Sequence, residues 1–172
     1  DYLSTNCTRN VPGGLERTRR MAELTGNPQE ALCTIHIAGT NGKGSTAAMI
    51  SSMLEEAGYR TGLFTSPHLE CYEERIRING QLIPQSDFAE VLTVLIEQVI
   101  PVLLQEGMQH PGELELLTGA GWMYFRGKTD FVVSETGLGG TLDPTNLITR
   151  PVLTVITPVS LDHCQILGNT VA

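Results

Sequence analysis

The stretch Ile35-His36-Ile37-Ala38-Gly39-Thr40-Asn41-Gly42-Lys43-Gly44-Ser45-Thr46 decides how the rest of the chain is read. Thr34 to Ala38 predicts a short strand, followed by a glycine-rich turn, a lysine, two hydroxyl residues and a helix beginning near Gly44. Gly39, Gly42 and Gly44 carry no Cβ, so backbone N–H groups can turn inward there. Lys43 places a point cation in that concavity, and the helix adds free N–H groups and the positive end of its dipole. Such a loop is a seat for a polyphosphate. It departs from the pattern G-x-x-x-x-G-K-S/T, which needs glycine where Ile37 stands and a hydroxyl where Gly44 stands. The loop alone therefore leaves an ordinary strand-to-helix turn open as the alternative.

The flanking segments predict the frame. Residues 1 to 14, with Pro12 and Gly13-Gly14, read as a polar lead-in, and Leu15 to Leu24 as a helix closed by Asn27-Pro28. After the loop, Ala47, Ile50, Met53, Leu54 and Ala57 fall on one helical face, with Gly58 as the C-terminal cap. Arg60 to Thr65 is a second strand, and strand–helix–strand implies a parallel sheet. Glu74-Arg75-Ile76-Arg77-Ile78 alternates, turns at Asn79-Gly80 and returns through Leu82-Ile83, which predicts a hairpin. Ser86 is the expected cap of a helix through Phe88, Val91, Leu92, Leu95 and Val99 that breaks or kinks at Pro101. Beyond His110-Pro111-Gly112 a helix carries Leu114, Leu117, Trp122 and Phe125. Asp130 to Glu135 and Val152 to Thr157 complete the strands. The fold class is α/β: a P-loop-type three-layer domain, with a mainly parallel sheet, helices on both faces and a β-hairpin.

Every cluster of reactive residues follows the C-terminal end of a predicted strand: Gly39 to Ser45, Ser66 to His68, Glu135 to Asn146, and Asp162-His163. In an open parallel sheet that edge is where ligands bind. Read from the residues alone, Ser66 is equally a turn residue before Pro67, Glu135 a solvated acid, and His163 a satisfied loop histidine. A charge directly after Phe131-Val132-Val133 needs a partner if it is buried.

Composition narrows the classes. The 172 residues are 41% hydrophobic and 17% charged, enough for one globular domain with a core. A net charge of −8 argues against a nucleic-acid partner, since its field repels phosphates at long range. ATP remains compatible, because a local loop can hold it. No apolar run reaches a membrane span, so no membrane partner is expected. Cys7, Cys33, Cys71 and Cys164 form no CxxC pair and read as buried free thiols in a reducing, cytoplasmic setting.

Several motifs in register resemble the folylpolyglutamate synthases, often also dihydrofolate synthases, of the Mur-ligase group. They are Ala38-Gly39-Thr40-Asn41-Gly42-Lys43-Gly44-Ser45, Ser66-Pro67-His68-Leu69, Glu74-Arg75-Ile76, Glu135 to Asn146, and Leu161-Asp162-His163. The resemblance runs from about Gly14 to Thr170. It implies ATP-dependent addition of L-glutamate to folate or dihydropteroate through an acyl phosphate, with Mg²⁺ as cofactor and ATP as co-substrate. It carries ATP binding to Gly39, Thr40, Asn41, Gly42, Lys43, Gly44, Ser45 and Thr46, and the metal to Ser66, Glu135 and His163. Lys43, Glu135 and His163 are the catalytic set it implies, and Glu115, Leu142, Asp143 and Pro144 the pterin contacts.

For Glu115 a solvated helix position is the alternative. The chain departs from the family on the substrate side: Leu114 where phenylalanine is common, Thr136 for valine, Thr141 for arginine and Pro144 for alanine. Family members are also longer. The resemblance thus implies that residues 1–172 are the N-terminal portion of the ATP-binding domain, with little turnover alone, and that the full-length protein is a monomer. Two alternatives stay open: a non-catalytic nucleotide-binding module, and another Mur-type amino-acid ligase.

Overall fold

The computed structural model describes residues 2–7 and 14–171. Tyr2–Asn6 forms a short helix, α1, with Leu3 buried, where a polar lead-in was expected; residues 8–13 of that lead-in, with Pro12 and Gly13, lie outside the described residues. The remaining helices are α2 (Gly14–Leu24), α3 (Lys43–Glu56), α4 (Gln85–Val94), α5 (Ile100–Gln105), α6 (Glu113–Phe125) and α7 (Cys164–Leu167). The strands are β1 (Thr34–Ala38), β2 (Thr61–Phe64), β3 (Ile76–Ile78), β4 (Gln81–Leu82), β5 (Phe131–Glu135) and β6 (Leu153–Ile156).

The strands form one sheet in the order β4-β3-β2-β5-β1-β6. β2, β5, β1 and β6 are parallel, and the β3–β4 hairpin adds antiparallel strands beside β2. The unit β1–α3–β2 does not pair its own strands, because β5 inserts between them. That insertion puts the C-terminal end of β5 beside the loop that follows β1.

Strand alternation sorts the two cores. Ile35, Ile37, Leu63 and Val133 face α3 and pack with Ala47. Phe64 and Val132 face the other way, into a larger core with Met21, Leu95, Leu103, Leu116, Leu117 and Phe125. Each such side chain contributes about 1.5–3 kcal/mol on burial. Parallel strands need cover on both faces, and α3 on one side with α2 and α4 to α6 on the other supply it. β6, the outer strand, leaves Leu153 and Ile156 exposed.

Several local expectations are corrected. On α3, Ala47 is buried but Met53 is 63% exposed and Ala57 is exposed, so the apolar face is narrower than its spacing suggests. Gly58, with φ +89°, ends α3 as expected: its N–H donates to Glu55 O, and Tyr59 N–H to Leu54 O. Glu74-Arg75 forms a 3-10 turn rather than strand, while Asn79 and Gly80 take the positive φ values of a tight hairpin turn. Ser86 is not a cap; Pro84 precedes the helix, and the Ser86 hydroxyl donates to Asp87. Pro101 does not break the helix. Leu95–Val99 opens into a π-helical turn just before it, relieving the clash of the proline ring with the carbonyl one turn back. The cysteines are free thiols, but Cys33 is exposed and the other three are half-buried.

Candidate phosphate and carboxylate site

β1 and β5 run in register so that Ile37 pairs with Glu135, the last residue of β5. The phosphate loop leaves β1 after Ala38, and Lys43 is the first residue of α3. Glu135 is therefore delivered to the helix N-terminus by strand geometry. A Cβ placed on Gly44 would sit 3.4 Å from Glu135 Oε2, so the two elements are in van der Waals reach. Ser66, just beyond β2, donates its N–H to Glu135 Oε2 at 3.2 Å.

Glu135 is 5% exposed. Burial pushes its carboxyl above the usual range, while the Ser66 N–H and the Lys43 ammonium pull the other way. Lys43 is half-buried, and its Nζ reaches the Thr40 carbonyl at 3.4 Å. A buried carboxylate beside an ammonium and a helix N-terminus is suited to hold an anion–cation pair, such as a polyphosphate with a divalent metal.

The first half of the loop is committed to the protein. Thr40 and Asn41 both donate their N–H groups to Pro158 O. Thr40 Oγ1 donates to Ser160 O and accepts from Ser160 N, and Asn41 Nδ2 donates to Ser160 Oγ. Gly39, at φ +135°, lies so tightly against Thr157 that an added Cβ would fall 2.7 Å from the Thr157 carbonyl oxygen. These bonds continue the β1–β6 ladder past the strand ends and brace the loop. The N–H groups of Lys43, Gly44 and Ser45, in the first turn of α3, lack intrahelical acceptors by helix geometry. Thr46 N–H already bonds Gly42 O within the helix.

The metal set expected from the resemblance is brought together only in part. Ser66 and Glu135 meet, but His163 lies on an exposed turn at φ +47°, with its Nε2 3.8 Å from the Asp162 carboxylate. No contact among the described residues joins His163 to Ser66 or Glu135, and no group of three His, Cys, Asp or Glu residues forms a metal cluster there.

The expected pterin contacts are likewise divided. Glu115 is not solvated. Its carboxylate takes a two-pronged grip from Arg17, Nε at 2.7 Å and Nη2 at 2.6 Å, with both side chains almost wholly buried. Asp143 is 2% exposed; Oδ2 accepts from Leu138 N, and Oδ1 from Thr145 N and Oγ1. That pattern closes the loop on itself. Pro144 is buried, and Leu142 is 77% exposed.

Residues not singled out from sequence also build the site. His36 donates from Nε2 to Thr145 Oγ1 at 2.8 Å, because the Thr145 hydroxyl proton is already given to Asp143. Arg75 is 6% exposed and joins His68 to Glu113. Alternation in β1 offered the only signal for His36, a polar residue between two isoleucines. For Arg75 the signal was its place in the Glu74-Arg75-Ile76 motif.

The sheet order and its covering helices define a three-layer α/β domain of the phosphate-loop class. No protein-family model matches the chain. It is 47% identical over 166 residues to the dihydrofolate synthase/folylpolyglutamate synthase of Bacillus subtilis, covering 94% of this chain and 37% of that protein. To the folylpolyglutamate synthase of Lacticaseibacillus casei it is 38% identical, covering 92% of this chain and 37% of that protein. A solved FPGS–AMPPCP–folate complex superposes with a TM-score of 0.91 at 36% identity, covering 99% of this chain and 42% of the other. The Thermotoga maritima folylpolyglutamate synthase gives 0.82 at 40% identity, covering 88% and 36%. The chain is a homologue of the folylpolyglutamate/dihydrofolate synthases, and it spans about 37% of the length of the curated relatives it matches. Among the described residues no helix is long and apolar enough to cross a membrane.

Proposed function

We propose that this chain is the phosphate- and acceptor-binding part of an ATP-dependent amide ligase that adds L-glutamate to folate or dihydropteroate. A carboxylate oxygen of the acceptor attacks the terminal phosphorus of ATP, and ADP leaves. The amine of L-glutamate then attacks the acyl carbon, phosphate leaves and an amide remains. Transfer between two anions needs charge neutralisation and alignment more than covalent help. The Lys43 ammonium and the first-turn N–H groups of α3 neutralise the transferring phosphate. Thr157, Pro158 and Ser160 keep the loop from yielding as charge moves.

The donor chemistry fits magnesium, which takes oxygen ligands and retains waters: the Glu135 carboxylate and the Ser66 hydroxyl would hold it. When bound, it would supply a Lewis-acid charge next to the phosphates. Glu115 and the Leu142–Pro144 segment form the proposed acceptor side, with Arg17 fixing the Glu115 carboxylate. The observation that carries this reading is the buried Glu135 carboxylate beside Gly44 at the head of α3 and the Ser66 N–H, in a chain 36% identical to a relative solved with AMPPCP and folate.

The test is phosphate release by the complete protein, measured with ATP, Mg²⁺ and L-glutamate against folates, dihydropteroate and peptidoglycan precursors. Release that requires both glutamate and a folate-type acceptor is expected. Nucleotide binding without such release would instead favour a non-catalytic module, and release on cell-wall precursors a different Mur-type ligase. The 172-residue chain by itself is expected to show little or no turnover in the same assay.

A further inference from the structure

The Ser66-Pro67-His68-Leu69 motif contributes more than Ser66. His68 is half-buried on the loop leaving β2, two residues from the N–H that holds Glu135. Arg75 Nε donates to His68 Nδ1 at 2.9 Å. An arginine in a protein keeps its protons, so Nδ1 must offer a lone pair and the imidazole proton must sit on Nε2. The arginine is itself pinned, since Nη2 donates to Glu113 Oε1 at 2.7 Å and only 7% of its side chain is exposed. The Tyr72 ring packs against the imidazole with centroids 4.5 Å apart, and its hydroxyl donates to Glu113 Oε2 at 3.4 Å. The Glu74 carboxylate holds the next stretch of chain by accepting the N–H groups of Leu69, Glu70 and Cys71. Ring, tautomer and loop are all fixed. Among the described residues Nε2 has no protein acceptor.

We propose that His68 is a specificity-determining residue of the acceptor site: its Nε2–H, set by Arg75 and Glu113, donates to an anionic oxygen of the bound acceptor, a carboxylate or the phosphoryl group it receives. The inference rests on the ligase reading. A residue needed only to fill space beside Tyr72 has no use for a guanidinium that dictates its tautomer. A residue that must present a donor in one direction does, because the other tautomer would turn a lone pair on the anion.

The experiment uses the complete protein with His68→Phe, which keeps the ring and removes the donor, and His68→Gln, which restores an N–H at similar reach. His68→Phe is expected to raise KM for the folate-type acceptor about tenfold to a hundredfold, with KM for ATP nearly unchanged, and His68→Gln to recover most of that loss. Nitrogen-15 NMR of the wild-type imidazole is expected to show the proton on Nε2. An unchanged acceptor KM in His68→Phe, equal damage in both variants, or a proton on Nδ1 would overturn the proposal while leaving the ligase reading intact. A wild-type protein with no glutamate- and acceptor-dependent phosphate release would overturn both.

Discussion

The Arg17–Glu115 pair ties α2 to the first turn of α6, and its removal can be worked out in advance. The guanidinium and carboxylate are 4% and 6% exposed, and two hydrogen bonds of 2.6 and 2.7 Å link them. Burial pushes the Glu115 carboxyl above its ordinary range, and Arg17 is the chief influence opposing that rise. Arg17→Met leaves the Glu115 carboxylate in a site with little water, and Glu115→Leu removes the carboxylate that Arg17 grips. Breaking one side of a buried pair costs about 3–5 kcal/mol. For a protein of this size each kcal/mol moves the midpoint by roughly 2–4 °C, so either single variant is expected to melt about 6–20 °C lower. The double variant Arg17→Met/Glu115→Leu removes both charges and keeps the volume, and should return to within about 2 kcal/mol of wild type. Denaturant titrations of the four proteins complete the cycle. Single losses below about 1 kcal/mol, or a double variant as costly as the two singles summed, would refute the claim that a desolvated pair joins these helices.

Other outcomes follow from the same geometry. Lys43→Ala should abolish ATP turnover in phosphate-release assays while shifting stability by no more than about 1 kcal/mol, since its hydrogen bond is a long one to the Thr40 carbonyl. A collapse of folding would remove Lys43 from the ligand-binding role. Gly62→Ala drives a methyl to within 2.9 Å of the Phe125 ring and should cost about 1–3 kcal/mol by denaturant titration, with KM for ATP unaffected. His36 is held below its ordinary value, chiefly by burial, with Asp143 opposing. The unfolded chain thus takes up a proton that the folded one resists, and stability from this group is present above about pH 6.5 and lost as pH falls below it. His36→Gln should lose less stability than wild type between about pH 7.5 and 5.5, a difference that isolates His36 from the carboxylates. Glu135 stands at the head of α3 beside Ser66, so Glu135→Gln is expected to weaken Mg²⁺ dependence more than acceptor binding, in metal titrations of the initial rate.

Much was legible because it depends on neighbours in the chain. The strand, glycine turn and helix around Lys43, the Asn79-Gly80 hairpin and the Gly58 helix end all rest on local backbone preferences, which the residue types state directly. So does the prediction that the reactive clusters follow strand ends. The misreadings share a different cause. Met53 fits the apolar spacing of α3 yet faces outward, because how wide a face is covered depends on the partner that packs there. Pro101 was expected to break or kink its helix, and the distortion came instead as a π-helical turn over Leu95–Val99, with helix resuming through Pro101.

What the amino-acid order determined by itself was the strands and the longer helices, though not α1 or α7, and the glycine turn that leads into Lys43. Tertiary structure alone decided that β5 slides between β1 and β2, so that Glu135 arrives at the head of α3, and that Arg17 and Arg75 leave solvent to grip Glu115 and Glu113. Strand order and buried charge pairing join residues far apart in the chain. Their energies come from desolvation and register, which are properties of the assembled sheet and core rather than of any short segment.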